Sequence, residues 1–179
     1  MTESNLPSDS RLSVKPLWEP KNVEASELHK FIDYVNSKFN KNFENYFDLQ
    51  KWSVVEIESF WDSIWEFTKI ISHSPHSQVL EKNVQMSEIP KWFLGATINY
   101  AENVLERLKE SNKIAIYARG EQFHSDISYR ELYRKVSVVA HSFKKLGLEK
   151  GDRVAGYLTN CPEAIIAMLA AASMGAIWR

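Results

Sequence analysis

At 179 residues, with 44% hydrophobic and 25% charged residues and a net charge of −1, the chain is long enough for a buried core and has a globular composition. It shows no basic stripe to receive a phosphate backbone, and its single cysteine, Cys161, excludes an internal disulfide and fits a reducing compartment such as the cytosol. The polar start, residues 1–13, lacks the basic and apolar regions of a secretory signal and reads as disordered, and the uncharged run from Ala164 to Trp178 is shorter than the about 20 residues a bilayer crossing needs.

Residues 14–110 read as helical and rich in aromatics. Leu28, Phe31, Ile32, Val35 and Phe39 recur at helical spacing and predict one amphipathic helix. After a loop over residues 42–48, Ser53 and Glu56 have the spacing of a capping box. It would open a second helix with Ile57, Phe60, Trp61, Ile64, Trp65 and Ile71 on one face, ended by Pro75. Rings at this spacing suit either a ligand platform or a core, and the core is favoured. A third helix follows Pro90-Lys91-Trp92-Phe93, with Tyr100, Val104, Leu105 and Leu108 on its apolar side.

Residues 111–179 change period. Lys113–Ala118 is a strand candidate, and Ser128 with Glu131 makes a capping box for a helix burying Leu132, Val136, Val139, Phe143 and Leu146. Gly147 would stop that helix, Gly151-Asp152 would turn, and Arg153–Leu158 would form the next strand. Asn160 is placed as the cap of an apolar helix that Gly175 ends, before a strand at Ala176–Trp178. Strand, helix, strand, helix, strand predicts an α/β protein: a helical N-terminal region, then the truncated start of a parallel sheet.

No catalytic, cofactor-binding or metal-binding residue emerges. His73 and His76 are three apart across Pro75 with no third ligand at a suitable spacing, and His29, His124 and His141 are scattered. Cys161 follows a capping asparagine without an apparent histidine partner. Neither standard phosphate-binding glycine loop is present. Asp152-Arg153 is an ion pair or a solvated turn.

Ser128-Tyr129-Arg130-Glu131-Leu132 and Leu169–Trp178 resemble the first and second core motifs of the acyl-adenylate-forming (AMP-binding) superfamily. Trp92-Phe93-x-Gly95 followed by Asn99 resembles the N-terminal extension of acetyl-CoA synthetase-like enzymes. The wider pattern is similar to the acetoacetyl-CoA synthetases: Leu17-Trp18-x-Pro20, Asn45-Tyr46-x-Asp48-Leu49, Trp52-Ser53-Val54, Phe60-Trp61 with Trp65, and Asn99-Tyr100-Ala101-Glu102-Asn103. The resemblance implies a ligase that adenylates acetoacetate with ATP and Mg²⁺ and passes the acyl group to coenzyme A, serving ketone-body use for lipid synthesis. It also implies that the phosphate loop, the nucleotide contacts and the catalytic lysine lie beyond Arg179, so the chain by itself is expected to be inactive and to bind no cofactor. Two alternatives stay open: a short non-catalytic product that binds a partner, or part of a synthetase for acetate or propionate.

Overall fold

The computed structural model describes residues 17–179 apart from 19 and 122, so the expected disorder of residues 1–13 falls outside the described residues. The chain forms two compact units, which divide between residues 63 and 64, inside one helix.

In the first unit, α1 (Glu27–Phe39) starts where the Ser26 hydroxyl accepts the His29 N–H at 3.2 Å, and stops at Asn40, whose φ of 50° is left-handed. Its predicted stripe is buried at Phe31, Ile32 and Val35, whereas Leu28 at its start stays exposed. The next helix begins seven residues before Ser53. α2 (Tyr46–Val55) is capped by Asn45, whose side chain accepts the N–H groups of Phe47 and Asp48, while Asp48 reaches back to the Glu44 N–H at 3.2 Å. The expected box at Ser53 does not form, because Ser53 is already inside the helix and donates to the Gln50 carbonyl at 2.8 Å. Glu56 leaves helical geometry at φ −105°, ψ 56°, and α3 (Ile57–Phe67) follows.

Trp52 is the hub of this unit. Its ring meets Phe39, Phe43 and Phe60 at centroid distances of 5.2, 5.7 and 6.1 Å. Asn36 fixes the turn beneath it by accepting the Phe43 N–H at 2.8 Å and donating to the Phe43 carbonyl at 2.9 Å. The face predicted for α3 is less buried than its spacing suggests: Trp61 is 40% exposed, and the fully buried residue is Ser63, whose hydroxyl turns onto the Ser59 carbonyl at 2.7 Å.

The second unit opens with an antiparallel pair that periodicity did not disclose. β1 (Gln78–Leu80) and β2 (Trp92–Leu94) pair Gln78 with Leu94 and Leu80 with Trp92. Strands of three residues are too short to show a period of two. α4 (Tyr100–Leu105) is capped by Asn99 and runs on as a tighter turn over Glu106–Leu108.

β3 (Ile114–Arg119) pairs antiparallel with β4 (His124–Ser128), a strand missed in the sequence because its first residues are polar and exposed. The α/β class holds, but β3 joins this hairpin rather than the later parallel pair. β4 runs directly into α5 (Tyr129–Lys145), where the predicted capping box is complete: the Ser128 hydroxyl accepts the Glu131 N–H, and the Glu131 carboxylate accepts the Ser128 N–H at 2.9 Å and its hydroxyl at 2.8 Å. Gly147 stops the helix at a φ of +86°.

β5 (Arg153–Val154) and β6 (Ile177–Trp178) form the expected parallel pair, connected through α6 (Pro162–Ser173). The cap of α6 is Cys161, not Asn160. Pro162 occupies the first turn, and the residue before a proline is driven into extended geometry, here φ −133° and ψ 161°, which is what a cap position requires. α6 packs on α4 and α5 through a core of Ala101, Leu105, Leu132, Val136, Leu169 and Ala170. Ala101, Ala170 and Ala171 are fully buried, so the helices approach closely where a larger side chain has no room.

Candidate functional site

The histidines and the cysteine do not converge. His73 Nε2 lies 2.8 Å from a Glu102 carboxylate oxygen, while the His76 ring packs edge-on to Trp65 and Phe93 at 5.1 and 5.2 Å. His29 lies 3.9 Å from Asp33, and His124 and His141 are exposed. Cys161 is partly buried at the start of α6 and makes no side-chain cap bond there. Among the described residues no three His, Cys, Asp or Glu side chains come together where an ion could bridge them. Asp152, left open as an ion-pair partner, accepts the Glu149 N–H at 2.8 Å and shapes the turn.

What the structure does assemble is built from Asn99-Tyr100-Ala101-Glu102-Asn103. Asn99 Oδ1 accepts the Glu102 N–H at 3.1 Å, and its amide donates to the Ala172 carbonyl at 2.9 Å and more weakly to Ser173 at 3.3 Å. One side chain thus caps the start of α4 and supplies the last carbonyls of α6. One turn on, Asn103 accepts the Ile71 N–H at 2.8 Å and donates to the Ile71 and Asn99 carbonyls, each at 3.0 Å. Between them Glu102 holds His73. An asparagine pair four apart at a helix start was the only sequence signal for this clamp, and neither residue was singled out from the sequence as a polar staple.

Gly95 and Phe93 of the Trp-Phe-x-Gly stretch also have backbone roles, at φ of +87° and +47°. The turn they form lets the Ser74 hydroxyl donate to the Gly95 carbonyl at 2.6 Å and brings Phe93 to 4.5 Å from Trp65.

Beside the clamp, a cleft of about 330 Å³ has an apolar floor of Leu105, Val136 and Ala140 and a rim containing His73, Glu102 and Glu106. Glu106 pairs with Lys109 and holds that ammonium's pKa above its ordinary value, first through the hydrogen bond and then through its charge. Both rim carboxylates therefore have partners, Glu102 in His73 and Glu106 in Lys109. The arrangement holds helices together.

Two family models divide most of the chain: residues 46–104 match "Acetyl-coenzyme A synthetase N-terminus" and residues 105–178 match "AMP-binding enzyme". The acetoacetyl-CoA synthetase of Xenopus tropicalis is 37% identical over 93% of this chain and 25% of its own length, and that of Rhizobium meliloti is 36% identical over 92% and 25%. The solved acetoacetyl-CoA synthetase of Streptomyces lividans superposes with a TM-score of 0.79 at 31% identity, over 93% of this chain and 26% of that one. The chain is a homologue of the N-terminal quarter of acetoacetyl-CoA synthetases.

The motif resemblance read from the sequence is thereby borne out, and so is the α/β class. The chain spans about a quarter of the length of the acetoacetyl-CoA synthetases it matches. Among the described residues no carboxylate cluster fits Mg²⁺, and Asn99, Asn103 and Glu102 are committed to the clamp. No helix is long and apolar enough to cross a membrane among the described residues.

Proposed function

We propose that this chain is the N-terminal portion of an ATP-dependent acetoacetate–CoA ligase, and that it serves that enzyme as scaffold. In this reading acetoacetate attacks ATP to give acetoacetyl-adenylate and pyrophosphate, and the coenzyme A thiol then displaces AMP to give acetoacetyl-CoA. Mg²⁺ accompanies the nucleotide. Residues 14–110 form the synthetase-type N-terminal region and residues 111–179 open the nucleotide-binding domain, in a cytosolic enzyme of ketone-body use for lipid synthesis.

The observation that carries the reading is the match to acetoacetyl-CoA synthetases of both vertebrates and a bacterium over nine-tenths of the chain. The scaffold role is supported by the chemistry of its most recognisable motif, in which Asn99 and Asn103 are spent on backbone groups and Glu102 on His73. ATP–pyrophosphate exchange tests it. The chain alone should give none with acetoacetate, acetate or propionate. A longer polypeptide containing this segment should exchange in an acetoacetate-dependent way. Exchange by the chain alone would remove the scaffold reading, and a preference for acetate or propionate in the longer form would replace the substrate.

A further inference from the structure

Asn99 is half-buried at the head of α4, and its one side chain serves two helices. Oδ1 caps α4 by accepting the Glu102 N–H, a task that a serine, threonine or aspartate would also perform. The other half needs an amide, because Nδ2 donates to the Ala172 carbonyl at 2.9 Å, 73 residues along the chain. That carbonyl belongs to the turn that ends α6. The Ala176 N–H donates to the Ala171 carbonyl and the Gly175 N–H to the Ala172 carbonyl, each at 3.0 Å, with Gly175 left-handed at a φ of +75°. This is a Schellman turn, and Asn99 ties its Ala172 oxygen to α4.

Only Met174, Gly175 and Ala176 lie between α6 and β6, so a shift at the end of α6 passes into the strand. The register of β6 is set by the Ile177 N–H on the Asp152 carbonyl at 2.7 Å and the Arg179 N–H on the Val154 carbonyl at 2.9 Å. In parallel α/β sheets, ligands bind outside the carboxyl ends of the strands. Asn103 is the internal comparison: it makes bonds of the same kind one turn along α4, but to Ile71 and to α4 itself rather than to α6.

We propose that Asn99 is a positioning residue for adenylation: its amide grips the turn after α6 and so fixes where the carboxyl end of β6 stands relative to the reacting groups. The proposal rests on the reading of the chain as part of an acetoacetate–CoA ligase, and it gives Asn99 no contact with substrate.

The test is made in a longer polypeptide containing this segment, by acetoacetate-dependent ATP–pyrophosphate exchange at a temperature where the melting curves show every variant folded. Asn99→Ser keeps a hydroxyl to cap α4 and removes the amide. Asn99→Asp keeps the acceptor and sets a carboxylate against the carbonyl end of α6, where the helix dipole disfavours it. The kcat of exchange should fall at least about tenfold in Asn99→Ser, because small displacements of reacting groups cost rate steeply. It should fall further in Asn99→Asp. KM for acetoacetate should stay close to the parent value, as expected when the lost interaction matters in the transition state. Asn103→Ala should keep the parent kcat even where it lowers the melting temperature. Amide hydrogen exchange gives a second readout: Asn99→Ser should speed exchange at Gly175, Ala176 and Ile177 and leave the Ile71 N–H, held by Asn103, as protected as before.

An active parent in which Asn99→Ser and Asn103→Ala lose kcat alike, or in which neither does, overturns the positioning role and leaves the ligase reading standing. A loss carried by KM alone, or unchanged protection from Gly175 to Ile177, also overturns it. A parent without acetoacetate-dependent exchange overturns the ligase reading, and the proposal falls with it.

Discussion

The two units hold their interiors together by opposite means. In the first, a few large rings do most of the filling: Trp52 touches Phe39, Phe43 and Phe60, and Phe31 meets Phe60 edge-on at 5.9 Å. In the second, Ala101, Ala170 and Ala171 are fully buried and let the backbones of α4, α5 and α6 come close, with Asn99 and Asn103 stapling their ends. One interior concentrates its contact area in few side chains; the other spreads it over many small ones. They should therefore fail under opposite substitutions, the first on losing volume and the second on gaining it. Amide hydrogen exchange, which reports each unit through its own residues, can separate the two.

The largest effect is expected at Trp52. Trp52→Ala removes the ring shared by three aromatic neighbours and leaves a cavity worth about 3–5 kcal/mol. Opening free energies at Phe31, Ile32 and Val35, all buried in α1, should fall by that order. A loss below about 1 kcal/mol, the scale of an ordinary surface substitution, would show that the other rings carry this core without it.

Enlargement is the matching insult to the second unit. Ala170→Leu forces three methyl-sized groups into a site with no exposure at α6, at a cost of about 1–3 kcal/mol. Leu132, Val136 and Leu169 should all lose protection together, because they belong to one cluster with Ala170. A variant as protected as the parent would mean that α6 can move away from its neighbours without penalty, and the close-packing account would be wrong.

The staple should matter somewhat less. Asn103→Ala removes three hydrogen bonds and strands the Ile71 N–H and carbonyl, which are only partly buried and can recover some water. A loss of about 1–2 kcal/mol is expected, at the lower end for unsatisfied backbone groups. Asn103→Asp is the sharper probe, since it keeps the acceptor for the Ile71 N–H but cannot donate to the two carbonyls. If Asp restores full stability, the donor half of the clamp contributes nothing.

These contrasts also explain what could be read from the sequence. α1, α5 and α6 were legible because apolar residues at helical spacing coincide with real burial, and Ser128 with Glu131 marks the start of α5 by local chemistry alone. The boundary of α2 was misread because two cap signals compete within twelve residues, and Asn45, joined by Asp48, takes the earlier one. β1, β2 and β4 were missed because they are short or polar, and β1 finds β2 only across residues 81–91. The scaffold role of the Asn99–Asn103 stretch was illegible for a similar reason: Asn103 binds Ile71 and Asn99 binds Ala172, and no spacing within the motif points to either.

The smallest effect tests a boundary that sequence and structure share without correction. Glu131 is held below the usual carboxylate range, first by the Ser128 backbone N–H and then by the Ser128 hydroxyl. A carboxyl whose folded pKa is depressed contributes stability that is present above its unfolded value, about 4.3 for glutamate. That contribution is lost as pH falls through the lower folded value. Ser128→Ala should cost about 1 kcal/mol at neutral pH through the lost cap. It should also move the Glu131 titration only part of the way back, because the backbone N–H remains. Glu131→Gln should abolish that acid-side loss altogether, while leaving the separate one at Asp126, whose carboxyl is held down by Arg119. Carboxyl chemical shifts followed between neutral pH and pH about 2, below the ordinary glutamate range, distinguish the two residues. If Ser128→Ala returned Glu131 all the way to its ordinary value, the hydroxyl rather than the backbone would be the main anchor. The reciprocal box at the head of α5 would then be a one-sided bond, and the α5 start would depend on a single side chain, as the first unit depends on Trp52.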